Sequence, residues 1–194
     1  MTLPARSWLI PLRFVGMLWL IRATETVLHV SVAGLGVYPR TLFGLVGVVF
    51  APLIHGDWMH LVSNSVPLLV LGTALFLLYP GVAYTVFGLS YFLTGTLVWV
   101  FGRPSLHIGA SGLLYGIAFF LMTIGLFRKD AKSVAVSLVV AFFYSGIIFG
   151  VLPVFPGVSW ESHLLGALVG VGCAARYSRS LALPPGPPGW RRME

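Results

Sequence analysis

Charge and cysteine are both scarce in this 194-residue sequence. Only 9% of its residues are Asp, Glu, Lys or Arg, and 58% are apolar, whereas a soluble domain carries about 25% charged residues. So few charges could not keep a globular surface solvated. This excludes a soluble monomeric domain and makes lipid the solvent for most of the chain. The single cysteine, Cys173, excludes an internal disulfide.

Acidic residues are also few, which leaves a net charge of +7. Many of the basic residues fall in one short loop or in the C-terminal tail: Arg128, Lys129, Lys132, Arg176, Arg179, Arg191 and Arg192. Such clusters are typical of cytoplasmic segments of membrane proteins, not of a nucleic-acid-binding face. We therefore predict no nucleic-acid partner.

Apolar segments make up most of the chain. A membrane-spanning helix needs about 20 mostly apolar residues. Six segments meet this need: 10–31, 59–79, 82–101, 110–127, 133–152 and 160–177. The first lacks a clear A-x-A cleavage site, which favours a membrane helix over a cleaved signal peptide. The sequence predicts an all-α polytopic membrane protein, a bundle of six transmembrane helices with both termini inside (N-in/C-in).

Residues 1–180 are predicted to form this single membrane domain. Between the first two spans, residues 32–58 are apolar but interrupted by several Gly and Pro residues. We expect this segment to be an outer loop that dips into the membrane interface. Residues 181–194 are rich in Pro and Gly, and we expect them to form a flexible cytoplasmic tail.

Polar side chains within apolar spans are candidates for function, because they are costly in lipid. His60 and Asn64 lie four residues apart at the outer start of the second span, on one face of a helix. His55 lies five residues before His60, off that face, and the glutamate of an H-E-x-x-H motif is missing. A metal site is therefore not favoured. Taken alone, His60 and Asn64 are also compatible with purely structural hydrogen bonds to neighbouring helices.

A third polar residue, Ser111, lies in Gly109-Ala110-Ser111-Gly112 at the outer end of the fourth span. Serine is common in membrane helices, where its hydroxyl bonds to a backbone carbonyl. At the start of a helix, however, free backbone N–H groups are available to bind a negatively charged oxygen. Gly112 and Gly116 also form a small-xxx-small face that allows close approach of another helix.

His163 begins the sixth predicted span and is followed by Gly166 and Gly170 on the same helical face. That glycine face is able to pack against the one that follows Ser111 in the fourth span. With an N-in topology, His163 and Ser111 then lie at similar depth below the outer surface. A lone membrane histidine is often structural, so the pairing with Ser111 carries the functional hypothesis.

In order and spacing, these motifs resemble the rhomboid family. The matching elements are His55…His60-x-x-x-Asn64, Gly109-Ala-Ser111-Gly112 with Tyr115 four residues on, and His163-x-x-Gly166-x-x-x-Gly170. The resemblance covers about residues 10–177. It implies a six-helix bundle around a water-filled cavity that opens outward, with single-span membrane proteins cut near their outer membrane boundary. The first loop departs from the family pattern, since Tyr38-Pro39-Arg40 stands where many members have a Trp-Arg pair.

The resemblance also implies roles for individual residues. Ser111 would be the nucleophile, His163 the general base, and Tyr115 the ring that packs against His163. The side chains of His60 and Asn64, with the Ser111 backbone N–H, would form the oxyanion hole. The supporting residues would be Gly109, Gly112, Gly166, Gly170 and His55.

No Asp or Glu is available in the nearby spans to complete a triad with this pair. Asp57 and Glu161 lie at outer helix ends and Asp130 lies on the cytoplasmic side, so we predict a Ser–His dyad and not a triad. We further expect Ser105, His107 and Trp160 to border the cavity.

These observations predict a serine endopeptidase that needs no cofactor and no metal, acts on transmembrane proteins within the lipid bilayer, and lies in the plasma (inner) membrane of a prokaryote.

The alternative is a catalytically inactive rhomboid-like module that binds membrane proteins, although such relatives typically lose the serine or the histidine. A small transporter is less favoured, because no charged pathway or inverted repeat is visible. An aspartyl or metal intramembrane protease would need paired carboxylates or H-E-x-x-H, and neither motif occurs.

Overall fold

The structure is a computed structural model that describes residues 6, 9–154 and 157–179, and in this part of the chain it is all-α. The predicted tail, residues 181–194, lies outside the described residues. Seven α-helices occur within the described ranges: α1 Leu9–Leu28, α2 Gly47–Phe50, α3 Trp58–Leu78, α4 Pro80–Phe101, α5 Ser111–Arg128, α6 Ala131–Tyr144 and α7 Trp160–Tyr177. Short 3₁₀ segments occupy Ala33–Leu35, Phe43–Leu45, Ala51–Leu53 and Ser145–Val151.

Each of the six predicted segments overlaps one of the long helices. Four helical stretches in the described residues are long and apolar enough to cross a membrane: Trp58–Leu78, Pro80–Phe101, Ser111–Arg128 and Ala131–Val151. The chain is thus a multi-pass membrane protein. Helix α1 carries Arg13, Arg22 and Glu25, and α7 contains Glu161, His163 and Arg176, which lowers the hydropathy of both. The count of six spans and the N-in/C-in topology stay predictions.

Helix α5 lies at the centre of the bundle and packs most closely against α7. A Cβ added to Gly166 would overlap the carbonyl oxygen of Gly112, and one added to Gly170 would overlap that of Gly116. Only glycine allows the two backbones to approach this closely, as is common where helices pack in lipid. The two glycine faces therefore set the distance between the helix that begins at Ser111 and the helix that carries His163.

Helix α6 lies at the edge of the bundle and is joined to α5 by a tight turn. Asp130 caps α6 by accepting a hydrogen bond from the Ser133 backbone N–H at 3.1 Å, and it accepts a second from Arg128 Nε at 2.6 Å. The sequence predicts one span over 133–152, but the α-helix ends at Tyr144 and continues as a 3₁₀ segment. Two glycines within that segment weaken the α-helical conformation there.

The first loop folds into short helical turns that pack against the end of α4. Val37 pairs with His107 through two backbone hydrogen bonds of 2.9 Å. The Arg40 backbone N–H donates to the Trp99 carbonyl at 3.0 Å, and Arg40 Nη1 donates to the Gly102 carbonyl at 2.8 Å. The loop is thereby fixed beside the segment that leads into Ser111, while its position relative to the membrane stays a prediction.

Candidate active site

Ser111 is the first residue of α5 and is held in place by the loop before it. Gly109 has φ +108°, a backbone conformation that favours glycine. A Cβ at Gly109 would lie 2.6 Å from the His60 ring, so the ring rests directly on this backbone. The N-cap residue, Ala110, provides no side-chain cap. The first N–H groups of α5 thus have no capping partner and remain available to a ligand.

His163 lies in the first turn of α7 and its ring stacks on Tyr115. The ring centroids are 4.1 Å apart and the planes differ by 7°. His163 Nδ1 lies 2.8 Å from the Gly150 carbonyl oxygen. Because a carbonyl only accepts, Nδ1 carries the proton in the neutral ring and Nε2 is left with a free lone pair. A Cβ at Gly150 would overlap the Tyr115 hydroxyl, so this position also depends on glycine.

A cavity of about 950 Å³ joins these residues to those at the start of α3. Its walls include five of the residues singled out from the sequence: Ser111, His163, Tyr115, His60 and Asn64. Ser105 also lines the cavity, as expected, whereas His107 and Trp160 are absent from its lining. His107 instead bonds to the start of α7, because its backbone pairing with Val37 turns it away.

His60 and Asn64 project into this cavity from the first turns of α3. Asp57 caps this helix, accepting a hydrogen bond from the His60 backbone N–H at 2.7 Å. Asn64 is buried, and its Nδ2 has no hydrogen-bond partner in the described part of the chain. A buried donor without a partner is costly. The Asn64 amide is therefore available to an acceptor in the cavity.

His55 supports the site from beneath. It is buried and meets the His60 ring edge to face, with centroids 4.9 Å apart. Its Nε2 accepts a hydrogen bond from the Ala110 backbone N–H at 3.4 Å. Burial, together with the neighbouring His60, lowers the pKa of His55 to about 4. The ring therefore stays neutral at physiological pH, as this hydrogen bond requires.

One group of residues near the site was missed by the sequence analysis. Glu161 is buried and pairs with Arg103, whose Nε lies 3.2 Å from Glu161 Oε1. Ser159 and Ser162 hydroxyls are 2.6 Å apart. The available signal was an acidic residue two positions before His163 and an arginine directly after Gly102, but only the fold shows that they meet.

Metal ligands are not assembled here. Within residues 9–154 and 157–179, no three His, Cys, Asp or Glu side chains come together as a metal site would require.

Comparison with known proteins agrees with this architecture. A model of the rhomboid domain matches residues 42–180, which include the later first-loop turns, Phe43–Leu45 and Ala51–Leu53, and helices α2 to α7. The chain is 39% identical over 181 residues to the uncharacterized protein Rv1337 of Mycobacterium tuberculosis, covering 84% of this chain and 72% of that protein. The uncharacterized protein Mb1372 of Mycobacterium bovis gives the same values.

The uncharacterized protein ML1171 of Mycobacterium leprae is 36% identical over 181 residues, covering 84% of this chain and 68% of that protein. These relatives are bacterial. Most of the described helices fall inside the matched domain, and the motifs at Ser111 and His163 lie within it. On this evidence, the chain belongs to the rhomboid family.

Proposed function

We propose that this protein is an intramembrane serine endopeptidase that hydrolyses peptide bonds of transmembrane substrates near the outer membrane boundary, with Ser111 and His163 as a catalytic dyad. The observation that carries the proposal is the common cavity lined by Ser111, His163, His60 and Asn64. Three helices contribute these side chains, and the cavity is large enough to admit a peptide segment and water.

The proposed reaction begins at Ser111, whose hydroxyl is a poor nucleophile until a base accepts its proton. His163 Nε2 accepts that proton as Ser111 Oγ bonds to the substrate carbonyl carbon. The imidazolium then donates the proton to the leaving amine as the peptide bond breaks. Water, deprotonated by the same ring, then attacks the acyl carbon. The bond from that carbon to Ser111 Oγ breaks, and the ring returns its proton to the serine oxygen. In soluble proteases a carboxylate orients the histidine; here the Gly150 carbonyl and the Tyr115 ring would do so.

The side chains of Ser111 and His163 share no hydrogen bond with each other among the residues that the structure describes. This agrees with a catalytic pair, because such hydrogen bonds are often long without substrate and shorten when it binds. The stacking on Tyr115 and the hydrogen bond to Gly150 keep the His163 ring in one orientation meanwhile.

An oxyanion hole is proposed beside Ser111 in the same cavity. The unpartnered Asn64 Nδ2, the His60 ring and the Ser111 backbone N–H would donate to the negative oxygen of the tetrahedral intermediate. One such donor is worth about 2.7–4 kcal/mol, by analogy with soluble proteases.

The membrane position is part of the proposal. Helix α5 has 18 residues and is therefore about 27 Å long, close to the thickness of the hydrocarbon core. Ser111 lies at one end of α5, and the basic residues Arg128, Lys129 and Lys132 lie at or beyond the other. Basic residues favour the cytoplasmic side of the inner membrane. Ser111, at the other end of α5, would then lie near the outer surface. This placement is consistent with six spans and an N-in/C-in topology.

The deciding experiment is fluorophosphonate labelling of detergent-purified wild type, Ser111→Ala and His163→Ala. We expect label on the wild type and none on either variant. Labelling that persists in Ser111→Ala would reject this serine as the nucleophile. A folded wild type that neither labels nor cleaves a transmembrane substrate in liposomes would favour the inactive, substrate-binding alternative.

The oxyanion assignment has its own test. We expect His60→Ala and Asn64→Ala to lower kcat by about 10²–10³ with little change in KM, because the lost contact forms only in the transition state. Val62→Ala, an exposed position on the same helix, serves as the matched control. A change in KM alone would contradict the assignment.

A further inference from the structure

A second group of polar residues lies beside the proposed dyad and connects the α4–α5 loop with the start of α7; Arg103 and Ser159 of this group also line the cavity. Glu161 is only 5% exposed. Its Oε1 forms an ion pair with Arg103, 3.2 Å from Nε, and accepts a hydrogen bond from the Arg103 backbone N–H at 3.4 Å. Arg103 Nη2 also donates to the Val158 carbonyl at 2.8 Å. One arginine therefore binds both the first turn of α7 and the segment just before it.

A parallel bridge runs through His107. Its Nδ1 lies 2.6 Å from Ser159 Oγ, which in turn lies 2.6 Å from Ser162 Oγ. His107 Nε2 faces the Arg103 carbonyl at 3.2 Å. The same loop is thus bonded twice to α7, and its backbone pairing with Val37 bonds it to the first loop as well.

These bonds involve the two backbone segments that would position the dyad. The α4–α5 loop leads directly into Ser111, and Glu161 lies two residues before His163. A helix advances about 1.5 Å and turns about 100° per residue. A small shift at the start of α7 would therefore move the His163 ring away from both Tyr115 and Ser111.

A buried carboxylate is costly unless it is well paired. In the described part of the chain, Glu161 shares no hydrogen bond with His163 and does not line the cavity. Its place in the first turn of α7 would suit the helix dipole, but an exposed acid would serve that purpose equally well. The paired and buried arrangement favours a positional role.

We propose that Glu161 is a positioning residue, which fixes the start of α7 through Arg103 and so sets the relation of His163 to Ser111. This inference rests on the proposed function. In a catalytic triad the carboxylate orients the histidine by direct contact. Here the carboxylate acts through the backbone of the helix that carries the histidine.

The test compares Glu161→Gln with Glu25→Gln. Glu25 is a close match, since it is buried, pairs with Arg22 at 3.4 Å and accepts a backbone N–H from Val32 at 2.8 Å. It lies on α1, outside the cavity lining. We expect Glu161→Gln to lower the fluorophosphonate labelling rate of the folded protein on the order of 10-fold to 100-fold. For a transmembrane substrate, kcat should fall similarly with KM within about twofold. Glu25→Gln should label at the wild-type rate per folded molecule.

A coupling measurement identifies Arg103 as the partner. The double variant Arg103→Gln/Glu161→Gln should lose less than the two single variants added together, because both single substitutions remove the same ion pair. Labelling of Glu161→Gln at the wild-type rate, or an equal loss in Glu25→Gln, would overturn the proposal and leave only a structural role for the pair.

A readout independent of activity separates this inference from the proposed function. The ¹⁵N resonances of the His163 ring report its hydrogen bond to Gly150. We expect them to shift in Glu161→Gln and not in Glu25→Gln. A folded wild type that neither labels nor cleaves a transmembrane substrate would reject the protease, whereas unchanged ring resonances in Glu161→Gln would reject the positioning role.

Discussion

Helices α5 and α6 are consecutive and both apolar, but they occupy opposite environments. In α5, which runs from Ser111 to Arg128, 67% of the residues are buried inside the protein. In the most apolar 18 residues of the span from Ala131 to Val151, the buried share is 11%. The outer helix is the more apolar of the two. In lipid, apolarity does not drive a helix inward, because the surroundings are equally apolar.

Small side chains distinguish the central helix instead. Gly112 of α5 lies against α4 and α7, Gly116 against α4, and Gly125 against α6. Even the buried face of α6 is mostly small and polar, since Ser137 Oγ donates to the Leu121 carbonyl at 2.8 Å and accepts from the Gly125 N–H at 2.9 Å. Close backbone contact and interhelical hydrogen bonds therefore hold this bundle together.

The sharpest test of this contrast is the same truncation in both helices. Phe120 of α5 is fully buried and Phe142 of α6 is 78% exposed. We expect Phe120→Ala to cost about 3–5 kcal/mol in the free energy of unfolding, because a cavity forms in the core. Phe142→Ala should stay within about 0.5 kcal/mol. Equal losses, measured by denaturation in detergent, would mean that α6 is packed as tightly as α5.

Filling the α5–α7 contact should cost slightly less. A valine at Gly166 would overlap the Gly112 carbonyl, and backbone cannot move aside as a side chain does. We expect Gly166→Val to cost about 3 kcal/mol, the upper part of the range for overpacking, and to lower Tm and labelling together. Gly172→Val on the same helix meets nothing within 4 Å and should be tolerated. A stable, active Gly166→Val protein would disprove the close packing of α5 on α7.

The histidine beneath the site should make stability depend on pH. Burial lowers the pKa of His55 from 6.5 to about 4, so between these values the unfolded chain binds a proton that the folded protein does not. Stability is therefore full above pH 6.5 and falls by about 2–3 kcal/mol as the pH decreases to 4. His55→Gln keeps an acceptor without this titration, so its Tm should vary less with pH. An unchanged pH profile would show that other groups govern the effect.

The smallest effect on stability is expected at the outer edge of the bundle, where the chain after α6 reaches the site. A Cβ at Gly150 would meet the Tyr115 hydroxyl and lie 3.2 Å from His163 Nδ1. We expect Gly150→Ala to reduce labelling on the order of 10-fold or more while the free energy of unfolding changes by less than about 1 kcal/mol. Gly146→Ala in the same segment meets nothing and should label normally. Equal labelling of both variants would remove Gly150 from the support of His163.

Much of the site could be anticipated because its parts are local. His60 and Asn64 share a helix face through a four-residue spacing, and the glycines after Ser111 and His163 mark two faces able to approach closely. The ordered motifs also indicated the rhomboid family, which the domain match confirms. The contacts of Gly150 and Arg103 could not be anticipated in this way. They join His163 to a carbonyl 13 residues away and Glu161 to an arginine 58 residues away, and no periodic pattern encodes such pairs.

The sequence by itself determined that this is an all-α membrane protein, because scarce charge and long apolar segments leave the backbone no other way to satisfy its hydrogen bonds in lipid. It also determined which polar side chains stand near helix starts. Only the tertiary structure decided that α5 is central and α6 peripheral, that Asn64 Nδ2 has no partner among the described residues, and that the buried Glu161 pairs with Arg103. Each of these depends on which helix faces meet, and in lipid that choice rests on shape and hydrogen bonding between distant segments rather than on hydrophobicity.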